Sequence, residues 1–227
     1  MKSRIRQVFA AAVSLLLAGR LGAAEISLAQ MDNETAVQCG NLTYGGTQTS
    51  VCFADHFLTL AAAETKLHVV PNFVPVQLGS DALFNTPFCV WSGEGEFTLR
   101  NQERENLQKY LRSGGFIVAS PGCSNADWDR SFRNELKICF PDVPLQRVPM
   151  THAIFSLVYE IPRLTLKHGG ETTQVEALTI NGRIVLVYSR EGLNDAMHAK
   201  GCCCCGGDQI NEGEKVNVNL LTYALLY

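Results

Sequence analysis

The chain has 227 residues, of which 46% are hydrophobic, and 19 basic against 22 acidic side chains give it a formal net charge of −3. That length supports one domain with a full apolar core. The mild, evenly spread charge excludes the basic stripe of a nucleic-acid binder and the polybasic helix of a membrane-surface protein.

The first residues read as an export signal. Lys2, Arg4 and Arg6 form a basic region, Val8 to Ala18 an apolar one, and Gly22, Ala23 and Ala24 supply the small residues of a cleavage site. The apolar stretch is broken by Arg20 and is short for a bilayer span. Residues 1–24 are therefore expected to be a signal peptide, 25–36 a polar lead-in, and 37–227 a single domain with no membrane span after cleavage. The expected location is the periplasm or the exterior of a bacterium, where thiols tend to pair. Nine cysteines is an odd number, so at least one is unpaired, metal-bound or intermolecular.

Val37 to Tyr44 alternates as a first strand and ends at Gly45 and Gly46. Ser50 to Thr65 carries Val51, Phe57, Leu58, Ala61 and Ala62 at helical spacing. Val74 to Leu78 reads as a second strand, followed by a brief helical turn capped by Ser80 and ending at Leu83. Phe88 to Trp91 is a third strand, closed by Ser92 and Gly93. Thr98 is the expected N-cap of a helix with Leu107, Tyr110 and Leu111 on one face and Gly114 and Gly115 as its stop. Phe116 to Ala119 forms a buried strand, and Ser120-Pro121-Gly122 a turn. A helix beginning near Asn125 or Asp127 places Trp128, Phe132, Leu136 and Cys139 on one stripe, before Pro141. Val175 to Ile180 and Arg183 to Tyr188 flank Asn181-Gly182, a strong hairpin signal. Val216 to Tyr227 reads as a buried final helix.

This order implies an α/β domain with a mostly parallel sheet, helices on both faces and a hairpin adding antiparallel strands near the C-terminus. Ligands of such sheets gather at the carboxyl ends of the strands. Three segments converge there: Ser92-Gly93-Glu94-Gly95, Ser120-Pro121-Gly122-Cys123, and the loop after Tyr188 that carries Cys202 to Cys205, Gly206 and Gly207.

The segments "LRNQERENLQKYLRSGGFIVAS", "FRNELKICFPDVPLQRVP", "HAIF" and "NGRIVLVYSREGL" resemble the bacterial family known as domain of unknown function 4159. The resemblance runs from about Val37 to Tyr227. It implies a flavodoxin-like fold related to class I glutamine amidotransferases and implies no reaction. Many relatives have acidic residues where this chain has Ser120-Pro121, and Asp-His-Pro where it has Thr151-His152-Ala153.

Three chemistries compete. Cys202 and Cys205, at C-x-x-C spacing before Gly206, form one metal knuckle for zinc or copper, with His198 as the nearest third ligand and Cys203, Cys204, Cys123 or His152 as others. Disulfide bonding of the run competes equally. A hydrolase would use Ser120 or Cys123 as nucleophile and His152 or His198 as base, but no local spacing ties these together and no G-x-C-x-G elbow is present. Cys39, Cys52, Cys89 and Cys139 read as small core residues. The leading expectation is a non-catalytic ligand- or metal-binding module; the alternative is a thiol- or serine-dependent hydrolase.

Overall fold

The computed structural model describes residues 36–193 and 208–227. Its strands are β1 (Cys39–Thr43), β2 (Val74–Gln77), β3 (Phe88–Gly93), β4 (Phe116–Pro121), β5 (Gln146–Arg147), β6 (Leu164–Thr165), β7 (Thr172–Thr173), β8 (Glu176–Ile180) and β9 (Arg183–Tyr188). Seven of them form one sheet in the order β2-β1-β3-β4-β9-β8-β5, while β6 and β7 pair separately. The first five in that order are parallel. Taken by chain order, those five run 2-1-3-4-5, the flavodoxin-like arrangement. β8 returns antiparallel to β9 through Asn181 (φ 52°) and Gly182 (φ 79°), the two positive angles a tight hairpin turn requires.

Side-chain alternation assigns the two faces of the sheet. Phe88 and Val90 of β3, with Phe116 and Val118 of β4, pack with Phe57, Leu58, Leu220 and Leu221. These last four come from α1 (His56–Glu64) and α4 (Gly213–Leu226). Cys89, Trp91, Ile117 and Ala119 point the other way, toward Leu107, Leu111, Trp128 and Phe132. Those belong to α2 (Asn101–Arg112) and α3 (Ala126–Cys139). A strand buried on both faces reads as an unbroken apolar run, and both β3 and β4 are buried throughout. Each large side chain so buried contributes about 1.5–3 kcal/mol of transfer free energy.

Local competition moves several expected boundaries. The first helix begins at His56 rather than Ser50, because the Ser50 hydroxyl accepts the Cys52 N–H at 3.0 Å and turns the chain before the helix starts. Thr98 does not cap α2. The Leu99 N–H is taken by Glu135 at 3.2 Å and the Arg100 N–H by Glu103 at 2.7 Å, so the helix enters at Asn101. Ser80 flanks a 3-10 turn over Asp81–Asn85, but its hydroxyl donates back to the Gln77 carbonyl rather than capping it. Ser120 and Pro121 extend β4, which shifts the turn to Gly122–Ser124. Asn125 does cap α3, accepting the Trp128 N–H at 2.9 Å.

Candidate binding cleft

In a flavodoxin-like sheet the ligand crevice opens where the strand order reverses, between the carboxyl ends of β1 and β3. Here aromatic side chains fill that place. Tyr44, just beyond β1, donates its hydroxyl to the Ser92 carbonyl at 3.1 Å and accepts Trp128 Nε1–H at 2.6 Å. Phe97 packs 4.8 Å from the Tyr44 ring, and Trp91 lies 5.1 Å from Phe132. Glycine is obligatory at position 93, since a Cβ there would lie 1.9 Å from the Tyr44 hydroxyl and 2.8 Å from Trp128 Nε1. Burial pushes the Tyr44 phenol well above its ordinary pKa, against the hydrogen bond from Trp128. This hydroxyl is a structural joint.

Next along the edge lies the β4–α3 turn. Cys123 (φ 50°, ψ 35°) and Ser124 (φ 52°) are both left-handed, a conformation uncommon outside glycine and costly at two successive residues. Ser124 Oγ accepts the Asp208 N–H at 3.1 Å. The Gly192 N–H donates to the Asp208 carbonyl at 2.8 Å, and the Ile210 N–H to the Gly192 carbonyl at 2.9 Å. The two stems of the cysteine-bearing loop therefore meet the β4–α3 turn at the carboxyl edge. His198 and Cys202, Cys203, Cys204 and Cys205 lie outside the described residues.

The remaining hydrolase candidates occupy separate surroundings. Ser120 is fully buried, and its hydroxyl has no hydrogen-bond partner among the described residues. His152 accepts the Ile154 N–H on Nδ1 at 3.3 Å, its ring 5.7 Å from Tyr223 of α4, and burial lowers its pKa. No hydrogen bond joins it to Ser120. Cys123 is partly exposed in the turn. Burial pushes the thiols of Cys39 and Cys89 up to about 12 and that of Cys139 to about 11, which makes them poor nucleophiles. Among the described residues, Cys39, Cys89 and Cys139 are free thiols. Cys52 is buried, as its sequence context suggests. Among the described residues no three His, Cys, Asp or Glu side chains gather as a metal site.

Beyond β9 the edge opens. A cleft of about 610 Å³ is lined by Arg133 of α3, Arg147 of β5, Arg163 ahead of β6, Glu176 of β8, and Tyr188 and Arg190 at the end of β9. Arg133 is fixed in its wall. Its Nε donates to Asp129 Oδ1 at 2.7 Å, its Nη2 pairs with Glu176, and its guanidinium lies 4.9 Å from the Tyr188 ring. Burial opposes the Arg133 charge, but the hydrogen bonds it donates to Glu176 and Asp129 outweigh it and raise the pKa above its ordinary value. Tyr188 donates its hydroxyl to Asp129, and burial followed by that carboxylate pushes its phenol up. Arg147, Arg163 and Arg190 are exposed and make no ion pair among the described residues. Sequence inspection misses this group because its members lie far apart in the chain with no shared spacing. The pairing of β5 with β8 and of β8 with β9 brings Arg147, Glu176 and Tyr188 together, and Arg133 joins them from α3 through its pair with Glu176.

These features define a flavodoxin-like α/β domain with a filled switch point and an open, arginine-lined cleft at the far end of the same edge. The chain belongs to the family described as Domain of unknown function (DUF4159), which matches residues 39–225. No curated protein matches it.

Proposed function

We propose that this protein is an exported, non-catalytic ligand-binding domain whose site is the cleft beyond β9. The cleft carries the reading: it opens at the ligand-binding edge of the sheet, and its volume of about 610 Å³ falls within the ordinary range for small-molecule sites. Its walls are rigid, because β8 and β9 form one hairpin and Arg133 ties α3 to β8. Export is supported by the basic, apolar and small-residue pattern of the first 24 residues. The fold relation to class I glutamine amidotransferases adds no activity, because fold alone does not specify chemistry.

Thr173 faces the cleft, so a Thr173→Trp variant should block it. Small molecules that raise the melting temperature of the wild type are expected to lose that effect in the variant. An unchanged effect would place the ligand elsewhere. The hydrolase alternative predicts rapid single-site labelling of Cys123 or Ser120 by an electrophile, lost when His152 or His198 is changed; such labelling would overturn the non-catalytic reading. A metal role for Cys202, Cys205 and His198 is tested by intact mass with and without reductant and chelator. Stoichiometric zinc or copper on the reduced protein would support it.

A further inference from the structure

The geometry points to a small, multiply charged oxyanion, of the polycarboxylate or phosphate class, as the ligand of the cleft beyond β9, an assignment that rests on reading that cleft as the binding site. The lining holds four arginines and two glutamates, Glu176 and Glu191. Both glutamates already have partners. Glu176 is bound to Arg133, and Glu191 Oε2 accepts the Thr173 hydroxyl at 3.0 Å. Arg133 is shared by Glu176 and Asp129, and Glu191 keeps its charge beside a neutral hydroxyl, but Arg147, Arg163 and Arg190, with no ion pair among the described residues, outnumber the uncompensated carboxylates of the lining.

Those three come from separate segments: Arg147 on an edge strand, Arg163 on the approach to β6 and Arg190 directly after β9. They converge on one concave surface instead of scattering over a solvated face. Like charges brought to one cleft repel each other, and an anion between them relieves the repulsion. Guanidinium is the side chain best suited to this task, since its planar fork donates two parallel hydrogen bonds to a carboxylate or phosphate. Three guanidinium groups from three segments suit a ligand with more than one anionic group, such as a tricarboxylate. A neutral sugar or an apolar molecule would leave them unneutralised. Arg133 is held in the wall by Asp129, Glu176 and the Tyr188 ring, whereas Arg147, Arg163 and Arg190 are exposed.

The test uses the full chain and titrates citrate, inorganic phosphate and glucose by calorimetry at low ionic strength. Saturable binding of citrate or phosphate is expected, weakened at least about tenfold in the triple variant R147Q/R163Q/R190Q, consistent with the loss of charge-assisted hydrogen bonds. The triple lysine variant should recover only part of the affinity, because it restores charge without the fork. Thr173→Trp should abolish binding. No citrate or phosphate binding at millimolar concentration, or equal binding by the triple glutamine variant, overturns the anion assignment. Glucose binding that is lost in Thr173→Trp but kept in the triple variant would leave the cleft reading standing and sink the anion class. Anion binding unaffected by Thr173→Trp would sink both.

Discussion

The two ends of the sheet's carboxyl edge solve opposite problems with neighbouring side chains. At the β1–β3 end, Tyr44, Trp91, Phe97, Trp128 and Phe132 close the crevice around a glycine that leaves no room for a methyl group. At the β9 end the lining is charged and open to solvent. One stack of rings connects them: Trp128 lies on Phe132 at 5.1 Å, Phe132 on Tyr188 at 4.6 Å, and Tyr188 carries Arg133. The lesson is that topology offers a ligand place without filling it. Bulky residues at the end of one strand convert that place into core, and the binding surface moves two strands along.

The sharpest way to break this contrast is Gly93→Ala. The added methyl meets Tyr44 and Trp128 together, neither of which has a free direction to retreat. Destabilisation of about 3 kcal/mol, at the upper end of overpacking costs, is expected in urea denaturation. Trp128→Phe should cost less, about 1–2 kcal/mol, because it removes one buried hydrogen bond to Tyr44 while keeping most of the ring packing. At the open end the order reverses. R147Q/R163Q/R190Q should change stability in the absence of ligand by no more than about 0.5 kcal/mol, as for exposed positions generally, while changing binding strongly. A large loss of stability there would show that the arginines serve the fold rather than the cleft.

The smallest effect lies in the α1–α4 layer. Burial lowers the pKa of His152, so the folded chain holds its imidazole neutral at pH values where the unfolded chain is already protonated. Its contribution to stability is complete above the ordinary histidine pKa of about 6.5 and is lost as pH falls below it toward the folded-state value. Thermal melts from pH 7.5 to 5 should therefore show a decline that flattens in His152→Gln. An identical slope in that variant would assign the decline to carboxylates instead.

The parts of the fold that local chemistry decides are legible in the sequence. Phe88 to Trp91 and Phe116 to Ala119 announce buried strands by composition, Asn181-Gly182 announces the hairpin, and Asn125 announces a helix start. Thr98 misleads because Glu135, 36 positions away from Leu99, claims a backbone donor that sequence spacing assigns to a cap. β5, β6 and β7 have two residues each and exist only through their partners, so no periodicity precedes them. The aromatic seal has the same origin. Tyr44 and Trp128 are 84 residues apart, and neither residue alone hints at the hydrogen bond between them.

The base of the loop between Leu193 and Asp208 has a mechanical consequence. Gly192, Asp208 and Ile210 exchange backbone hydrogen bonds, and Ser124 anchors the same crossing to the β4–α3 turn. The ends of the loop are thus held by the scaffold, and the cost of closing it is already met. Closure entropy grows only slowly with length. This crossing is accordingly a clasp: Ser124→Ala removes the tie between the β4–α3 turn and Asp208 and is the single change expected to loosen it.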